Sequence, residues 1–160
     1  MPDIHPTAIV DSKARLSDDV RVGPYCVIEG DVKIGPGCEL VSHVTMRGPM
    51  VIGSHNRFWP FSAIGFEPQD LKFDGRTGGV SIGDHNVFRE GSTVHCATSV
   101  EKPTKIGDHN FVMTNAHVGH DSVVHNHVSL VTGCMLGGHV VIHDRAFIGG
   151  GGAVHQFCRV

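Results

Sequence analysis

An apolar residue recurs at every sixth position along almost the whole chain. The series runs from Ile4 to Val160 and is interrupted only at Asp70 and Arg76. A period of six matches neither the 3.6-residue turn of an α-helix nor the alternation of a half-buried strand. It predicts an all-β fold, a parallel β-helix in which three hexads, about 18 residues, form one triangular coil and successive coils stack.

Two other positions of the hexad are also restricted. The residue after the apolar one is often glycine, as in Gly23 and Gly119, and the residue two places before it is usually small, as in Cys26, Ala116 and Cys134. We expect a turn in every hexad, with glycine accepting a positive φ and the small side chain filling the inside of the corner. On this basis Cys134 and Cys158 are interpreted as packing residues and not as nucleophiles.

The break in the series predicts a loop that leaves the coil. Residues 66–79, the first excursion, are polar and glycine-rich and contain both interruptions. Residues 96–105, the second excursion, keep the register through Val100 but are polar and contain a proline, so a second loop is possible there. We therefore expect one β-helix domain over residues 1–160, with one or two loops.

Composition excludes several classes of function. The net charge of -3 and the lack of any block of basic residues argue against nucleic acid as a partner. The chain has no apolar stretch long enough to cross a bilayer and no basic, apolar leader, so we expect a cytoplasmic protein without membrane insertion. The five cysteines include no C-x-x-C pair, which argues against both a disulfide framework and a thiolate zinc site.

The length of the coil predicts which polar side chains lie in one column. His120, Gly138 and Gln156 follow one another at intervals of three hexads, and Asp121 and His139 form the adjoining column. A histidine oriented by a carboxylate is a general base near neutral pH, and a glycine opposite it leaves a backbone N–H free to donate to an oxyanion. The spacing alone fits acyl transfer and a self-satisfied histidine on the prism surface equally well. His117 and His155 flank these two columns.

Four longer motifs are more specific than the hexads. They are Gln69-Asp70-Leu71-Lys72, Asn115-Ala116-His117 followed by His120-Asp121, Gly138-His139-Val140, and the run AVHQFC at 153–158. Together they resemble the UDP-N-acetylglucosamine O-acyltransferases of lipid A biosynthesis, a family of hexapeptide-repeat acyltransferases. The resemblance implies a left-handed β-helix and a homotrimer with active sites between subunits.

The resemblance also implies residue roles and substrates. His120 would be the general base acting on the glucosamine 3-hydroxyl of UDP-N-acetylglucosamine, Asp121 would orient it, and Gly138 would donate to the oxyanion. The acyl donor would be acyl carrier protein carrying a 3-hydroxyacyl chain, and neither a cofactor nor a metal is expected. Residues implied to bind the nucleotide sugar or shape the acyl cleft are Gln69, Asp70, Lys72, His117, His139, His155 and Gln156.

The family continues beyond its β-helix into a C-terminal helical region that has no counterpart in this sequence. This absence favours a fragment of a longer protein over an abbreviated relative.

Three other functions also fit the sequence. His120, His125 and His95 could form the three-histidine zinc site of a γ-class carbonic anhydrase. A short-chain acyl-CoA-dependent sugar acyltransferase would also use a histidine base. A purely structural β-helix would need no chemistry from the polar column.

Overall fold

The computed structural model describes all 160 residues as three parallel sheets built from 23 short strands. The first sheet contains, in order, β1 (Asp3–Ile4), β4 (Arg21–Val22), β7 (Glu39–Leu40), β10 (Arg57–Phe58), β13 (Val87–Phe88), β16 (Phe111–Val112), β19 (Ser129–Leu130) and β22 (Phe147–Ile148). The second contains β2 (Ile9–Val10), β5 (Val27–Glu29), β8 (Thr45–Arg47), β11 (Ala63–Phe66), β14 (Thr93–His95), β17 (His117–Val118), β20 (Met135–Leu136) and β23 (Ala153–Val154). The third contains β3 (Arg15–Leu16), β6 (Val32–Ile34), β9 (Met50–Ile52), β12 (Val80–Ile82), β15 (Thr104–Ile106), β18 (Val123–Val124) and β21 (Val141–Ile142). Consecutive strands belong to different sheets, so the chain winds as a parallel β-helix, and none of its elements is a helix able to span a membrane.

The strand register gives the coil length. Ile4 pairs with Val22 and Val124 pairs with Ile142, so each regular coil consists of three hexads, as predicted. The pairing of Ile52 with Ile82 spans five hexads, because the segment 67–79 leaves the coil between β11 and β12. The next pairing, of Ile82 with Ile106, spans four hexads, because a shorter segment, 96–103, separates β14 from β15.

Val100 stands at an apolar position of the six-residue series but does not face inward. Its side chain is 58% exposed, and it lies in the second excursion, outside the strands. This excursion lengthens the regular coil by one hexad. The apolar series therefore stays in phase across a loop, which is why counting in sixes did not detect it.

A column of apolar side chains fills the prism. Ile28, Leu40, Met46 and the other inward residues of the central coils are fully buried, and the Phe58 ring stacks on Phe88 with centroids 4.8 Å apart. Burying each of these side chains is worth about 1.5–3 kcal/mol, so the stacking of coils supplies the main favourable term.

The expected reason for the hexad glycines is also wrong. Of the glycines that follow the inward residue, only Gly65 has a positive φ. Most of the others are required because a Cβ would strike the next coil: at Gly119 it would lie 2.7 Å from the Leu136 carbonyl oxygen, whereas at Gly149 it would meet no atom within 4 Å. Positive φ occurs instead three residues before the inward position, where it is adopted by side chains such as Asp121 (57°) and His139 (59°).

Cys158 also departs from the expectation for the small corner residues. Cys26, Cys38 and Cys134 are buried in the corners, as their hexad position predicts, whereas Cys158 is exposed. It lies on the last turn of the structure, on which no further coil stacks.

Candidate active site

His120 and Asp121 form a hydrogen-bonded pair in the turn between β17 and β18. The His120 Nδ1 lies 2.7 Å from the Asp121 Oδ2, and the two side chains are 9% and 8% exposed. Asp121 has a left-handed backbone conformation (φ 57°), and both residues lie in the turn, outside the strands.

The Asp121 carboxylate also accepts hydrogen bonds from the second excursion. The Thr98 N–H and hydroxyl donate to Oδ2 at 3.0 and 2.7 Å, and the Ser99 N–H donates to Oδ1 at 3.1 Å. Burial raises the pKa of the Asp121 carboxyl, but the hydrogen bonds from Thr98 and His120 outweigh burial and lower that pKa below its usual value. Because an ionised carboxylate can only accept, the His120 Nδ1 is the donor, and Nε2 keeps a free lone pair.

Gly138 lies directly against the basic nitrogen of His120. A Cβ added to Gly138 would lie 2.5 Å from the His120 Nε2 and Cε1 atoms. Glycine is therefore required here to leave room beside Nε2, although its φ is not positive. The prediction that His120 and Gly138 share a column is consistent with this contact.

The Gly138 N–H is free of hydrogen bonds within the chain. Another corner, where the chain turns from the third sheet into the first, shows a different arrangement at the same hexad position. There the backbone N–H donates to a side chain of the next coil: the Asp84 N–H to the Asp108 Oδ1 at 2.7 Å, and the Asp108 N–H to the Asn126 Oδ1 at 2.8 Å. One coil after Gly138 the corresponding residue is Gln156, which does not supply such an acceptor. A backbone donor therefore remains available close to a histidine base, which suits the stabilisation of an oxyanion.

Two further histidines line the same side of the prism in neutral form. Burial, followed by the neighbouring His95 and His120, lowers the pKa of His117 to about 4, and burial lowers the pKa of His95 as well. The His117 Nδ1 is 2.7 Å from the Thr93 Oγ1, and its ring meets the His95 ring edge-on at 4.6 Å. Neutral imidazoles can hydrogen-bond to hydroxyl groups without placing a positive charge next to the base.

A cleft with a volume of about 540 Å³ lies next to His95, His117 and His120. Among the predicted substrate-binding residues it is lined by Gln69, His117, His155 and Gln156, together with the predicted catalytic residues His120 and Gly138. Asp70 and Lys72 line a separate cleft of about 410 Å³ between the two excursions. The structure of one chain thus brings most, but not all, of the predicted residues to one cleft.

His139 is in a different environment from the other predicted substrate-binding residues. Its ring stacks on Phe157 at 4.7 Å and meets His120 edge-on at 5.2 Å. Its Nε2 lies 3.8 Å from the Asp121 Oδ2, and it does not line the larger cleft.

Three residues of the site were not predicted from the sequence, and a fourth was predicted only in another role. Thr98, Ser99 and Met135 were not singled out, and His95 was considered only as a zinc ligand. His95 follows Val94, which pairs with Val118, so the step between these two coils is four hexads. Counting by four hexads across the second excursion would have placed His95 beside Gly119.

Metal binding by the predicted three-histidine set has no support within one chain. His125 stacks on His143 at 5.3 Å, away from the contacts of His95 with His117. The side chains that do come together are those of His120, Asp121 and His139, whose ligand atoms lie within 4.8 Å of one another. Since the Asp121 carboxylate already accepts four hydrogen bonds, a metal there would have to displace donors.

Nucleophilic catalysis by a buried cysteine is also disfavoured. Burial raises the pKa of the Cys134 thiol to about 11, which keeps it protonated at neutral pH.

The chain has relatives among known proteins, both in sequence and in fold. Residues 13–48 match the family model "Bacterial transferase hexapeptide (six repeats)". The acyl-[acyl-carrier-protein]--UDP-N-acetylglucosamine O-acyltransferase of Stutzerimonas stutzeri is 50% identical over 158 residues, which cover 98% of this chain and 61% of the relative. The enzyme of the same name from Ectopseudomonas mendocina is 49% identical over 161 residues, covering 100% of this chain and 62% of the relative. The chain therefore spans about three fifths of the length of the curated relatives it matches.

Solved structures agree with these matches. The UDP-N-acetylglucosamine O-acyltransferase of Moraxella catarrhalis superimposes with a TM-score of 0.96 at 42% identity, covering 98% of this chain and 62% of that one. The Acinetobacter baumannii protein gives 0.95 at 41% identity, covering 98% and 61%. The predicted fold class, a left-handed parallel β-helix of hexapeptide repeats, is confirmed by the three parallel sheets and by this agreement. In sequence and in fold, the chain is a relative of the UDP-N-acetylglucosamine O-acyltransferases.

Proposed function

We propose that the chain transfers a 3-hydroxyacyl group from acyl carrier protein to the glucosamine 3-hydroxyl of UDP-N-acetylglucosamine, the first step of lipid A biosynthesis. The observation that carries the proposal is the His120–Asp121 pair, with the free Nε2 of His120 close to Gly138, whose N–H makes no hydrogen bond within the chain. The names of the relatives, which specify an acyl-[acyl-carrier-protein] and UDP-N-acetylglucosamine, support the choice of substrate classes.

The geometry suggests how the transfer proceeds. His120 Nε2 removes the proton of the 3-hydroxyl as its oxygen attacks the thioester carbonyl. The carbonyl oxygen becomes an oxyanion that accepts a hydrogen bond from the Gly138 N–H. When the carbon–sulfur bond breaks, the protonated His120 returns its proton to the departing thiolate of the carrier, so no acyl-enzyme forms.

Asp121 stabilises the positive charge that His120 carries between these two steps. Its carboxylate lies 2.7 Å from Nδ1, in a site where both side chains are almost fully buried. Electrostatic attraction is strong in such an environment, so this contact favours the protonated intermediate state of the base.

The remaining predicted residues are proposed to bind the substrates. Lys72 supplies a cation for the diphosphate, and neutral His117 a hydrogen-bonding group for the sugar. Gln69, His155 and Gln156 line the larger cleft, and Asp70 lies with Lys72 in the neighbouring one. His139 stays among the candidates, although its nearest charged group is Asp121.

A homotrimer with sites between subunits is part of the proposal. The Met135 side chain forms part of the cleft wall and is 53% exposed, so a neighbouring subunit could cover it. Sedimentation of the chain should give three times the monomer mass. The cytoplasmic location stays a prediction from the sequence.

The reaction can be identified by mass spectrometry. The chain is incubated with UDP-N-acetylglucosamine and 3-hydroxyacyl carrier proteins of several chain lengths, and a product heavier by one hydroxyacyl group is expected. The His120→Ala variant should give none, whereas His143→Ala, which removes an exposed imidazole stacked only on His125, should retain activity. Product from acetyl-CoA but not from the carrier protein would favour a short-chain acyltransferase, and stoichiometric zinc with CO₂ hydration would favour a carbonic anhydrase.

A further inference from the structure

The second excursion holds the carboxylate of the catalytic pair. Three of the four hydrogen bonds to the Asp121 carboxylate come from Thr98 and Ser99, and the fourth comes from His120. The Asp121 backbone is held by the strand that follows this loop, because its N–H donates to the hydroxyl of the fully buried Thr104, the first residue of β15, at 2.9 Å. Apart from His120, the carboxylate of Asp121 is therefore held by a loop and not by the regular coil.

The second excursion is itself tied to the first one. The Thr77 hydroxyl donates to the Ala97 carbonyl at 2.5 Å, and the Gly78 N–H donates to the Ser99 carbonyl at 2.6 Å. The Ala97 N–H in turn donates to the Gly79 carbonyl at 3.1 Å. The chain neighbours of Thr98, Ala97 and Ser99, are thus both held by hydrogen bonds, which limits the positions that the Thr98 hydroxyl can take.

We propose that Thr98 is a positioning residue for the acyl transfer, acting through Asp121 to orient His120. The inference rests on the proposed function. The Thr98 hydroxyl and the His120 Nδ1 both contact the Asp121 Oδ2 at 2.7 Å, so the hydroxyl, together with the Thr98 N–H at 3.0 Å, fixes the position of this oxygen. With that oxygen fixed, the Nδ1–H of His120 has one acceptor position, and Nε2 is held toward Gly138.

The side chain of Thr98 can be tested separately from its backbone. Thr98→Val keeps the shape and the N–H bond but removes the hydroxyl donor, whereas Thr98→Ser keeps the donor. Because a hydrogen bond to a charged group is stronger than one between neutral groups, we expect Thr98→Val to lower kcat about tenfold, with KM for the nucleotide sugar unchanged. Thr98→Ser should restore kcat. The matched control is Thr114→Val, which removes a hydroxyl that contacts Glu90 at 3.3 Å, outside the site.

A double-mutant cycle distinguishes action through Asp121 from a general structural effect. In an Asp121→Asn background, Thr98→Val should add no further loss of kcat. A full additional loss there would overturn the proposal, since Thr98 would then act independently of Asp121.

A second measurement does not depend on turnover. The ¹⁵N chemical shifts of the His120 imidazole report which ring nitrogen carries the proton. We expect Nδ1 to be protonated in the unmodified chain and in Thr114→Val, and the Nε2-protonated form to increase in Thr98→Val. If the chain forms no product, the proposed function fails and these shifts alone decide the role of Thr98. Unchanged shifts in Thr98→Val would overturn it.

Discussion

Substituting Gly138 with alanine should displace the proposed base. A Cβ at this position would lie 2.5 Å from the Nε2 and Cε1 atoms of His120 and 3.0 Å from its Cδ2. Ordinary contact begins near 3.4 Å, so the ring must move by about 1 Å, and a misplacement of that size costs on the order of 100-fold in rate. The backbone itself accepts alanine, because φ of Gly138 is not positive.

The assay is product formation from UDP-N-acetylglucosamine and 3-hydroxyacyl carrier protein, measured together with the urea denaturation midpoint. We expect Gly138→Ala to lose about 100-fold in kcat and about 1–3 kcal/mol of stability through overpacking. Gly149→Ala is the control, since a Cβ there meets no atom within 4 Å and its φ is not positive. That variant should retain wild-type activity and stability.

Activity of Gly138→Ala within a few fold of wild type would refute the reasoning. It would mean that the Nε2 of His120 does not need the space beside Gly138, and hence that this face is not where the acceptor hydroxyl binds.

Two further predictions concern stability. Because the pKa of His117 is lowered from 6.5 to about 4 by burial and by neighbouring imidazoles, the unfolded chain binds more protons between these values, and stability should fall as the pH falls from 6.5 to 4. His117→Asn should show a shallower decline in urea midpoint over that window, and an unchanged slope would contradict the assignment. Asn86 is fully buried and bonds to Asn56, Gly107 and Asn110, so Asn86→Ala should lower the free energy of unfolding by about 3 kcal/mol because it leaves buried partners unsatisfied. A loss below about 0.5 kcal/mol in equilibrium denaturation would show that water replaces these bonds.

The parts of the fold that repeat could be predicted from the sequence. The six-residue period indicated the coil, and a step of three hexads from His120 led to Gly138, because stacking in a β-helix is regular wherever no loop intervenes. Val100 keeps the six-residue register although it is exposed, because the second excursion lengthens its coil by one hexad and so leaves the period intact.

The contacts that orient the site could not be predicted in this way. Thr98 reaches Asp121 from a loop whose path follows no period, and Thr77 fixes that loop from another one. The role of the hexad glycines was also misread, because spacing along the chain shows where a turn lies and not which atoms of the next coil approach it. Side-chain packing between loops depends on three-dimensional contacts that one sequence does not contain.

The most direct test of the central claim is the rate of a single turnover by His120→Ala, with both substrates bound. Measuring one turnover at saturating substrate separates the chemical step from binding. We predict a loss of at least about 100-fold in this rate, as expected for removal of a general base, with unchanged affinity for UDP-N-acetylglucosamine. A single-turnover rate close to that of the unmodified chain would contradict the assignment of His120 as the base.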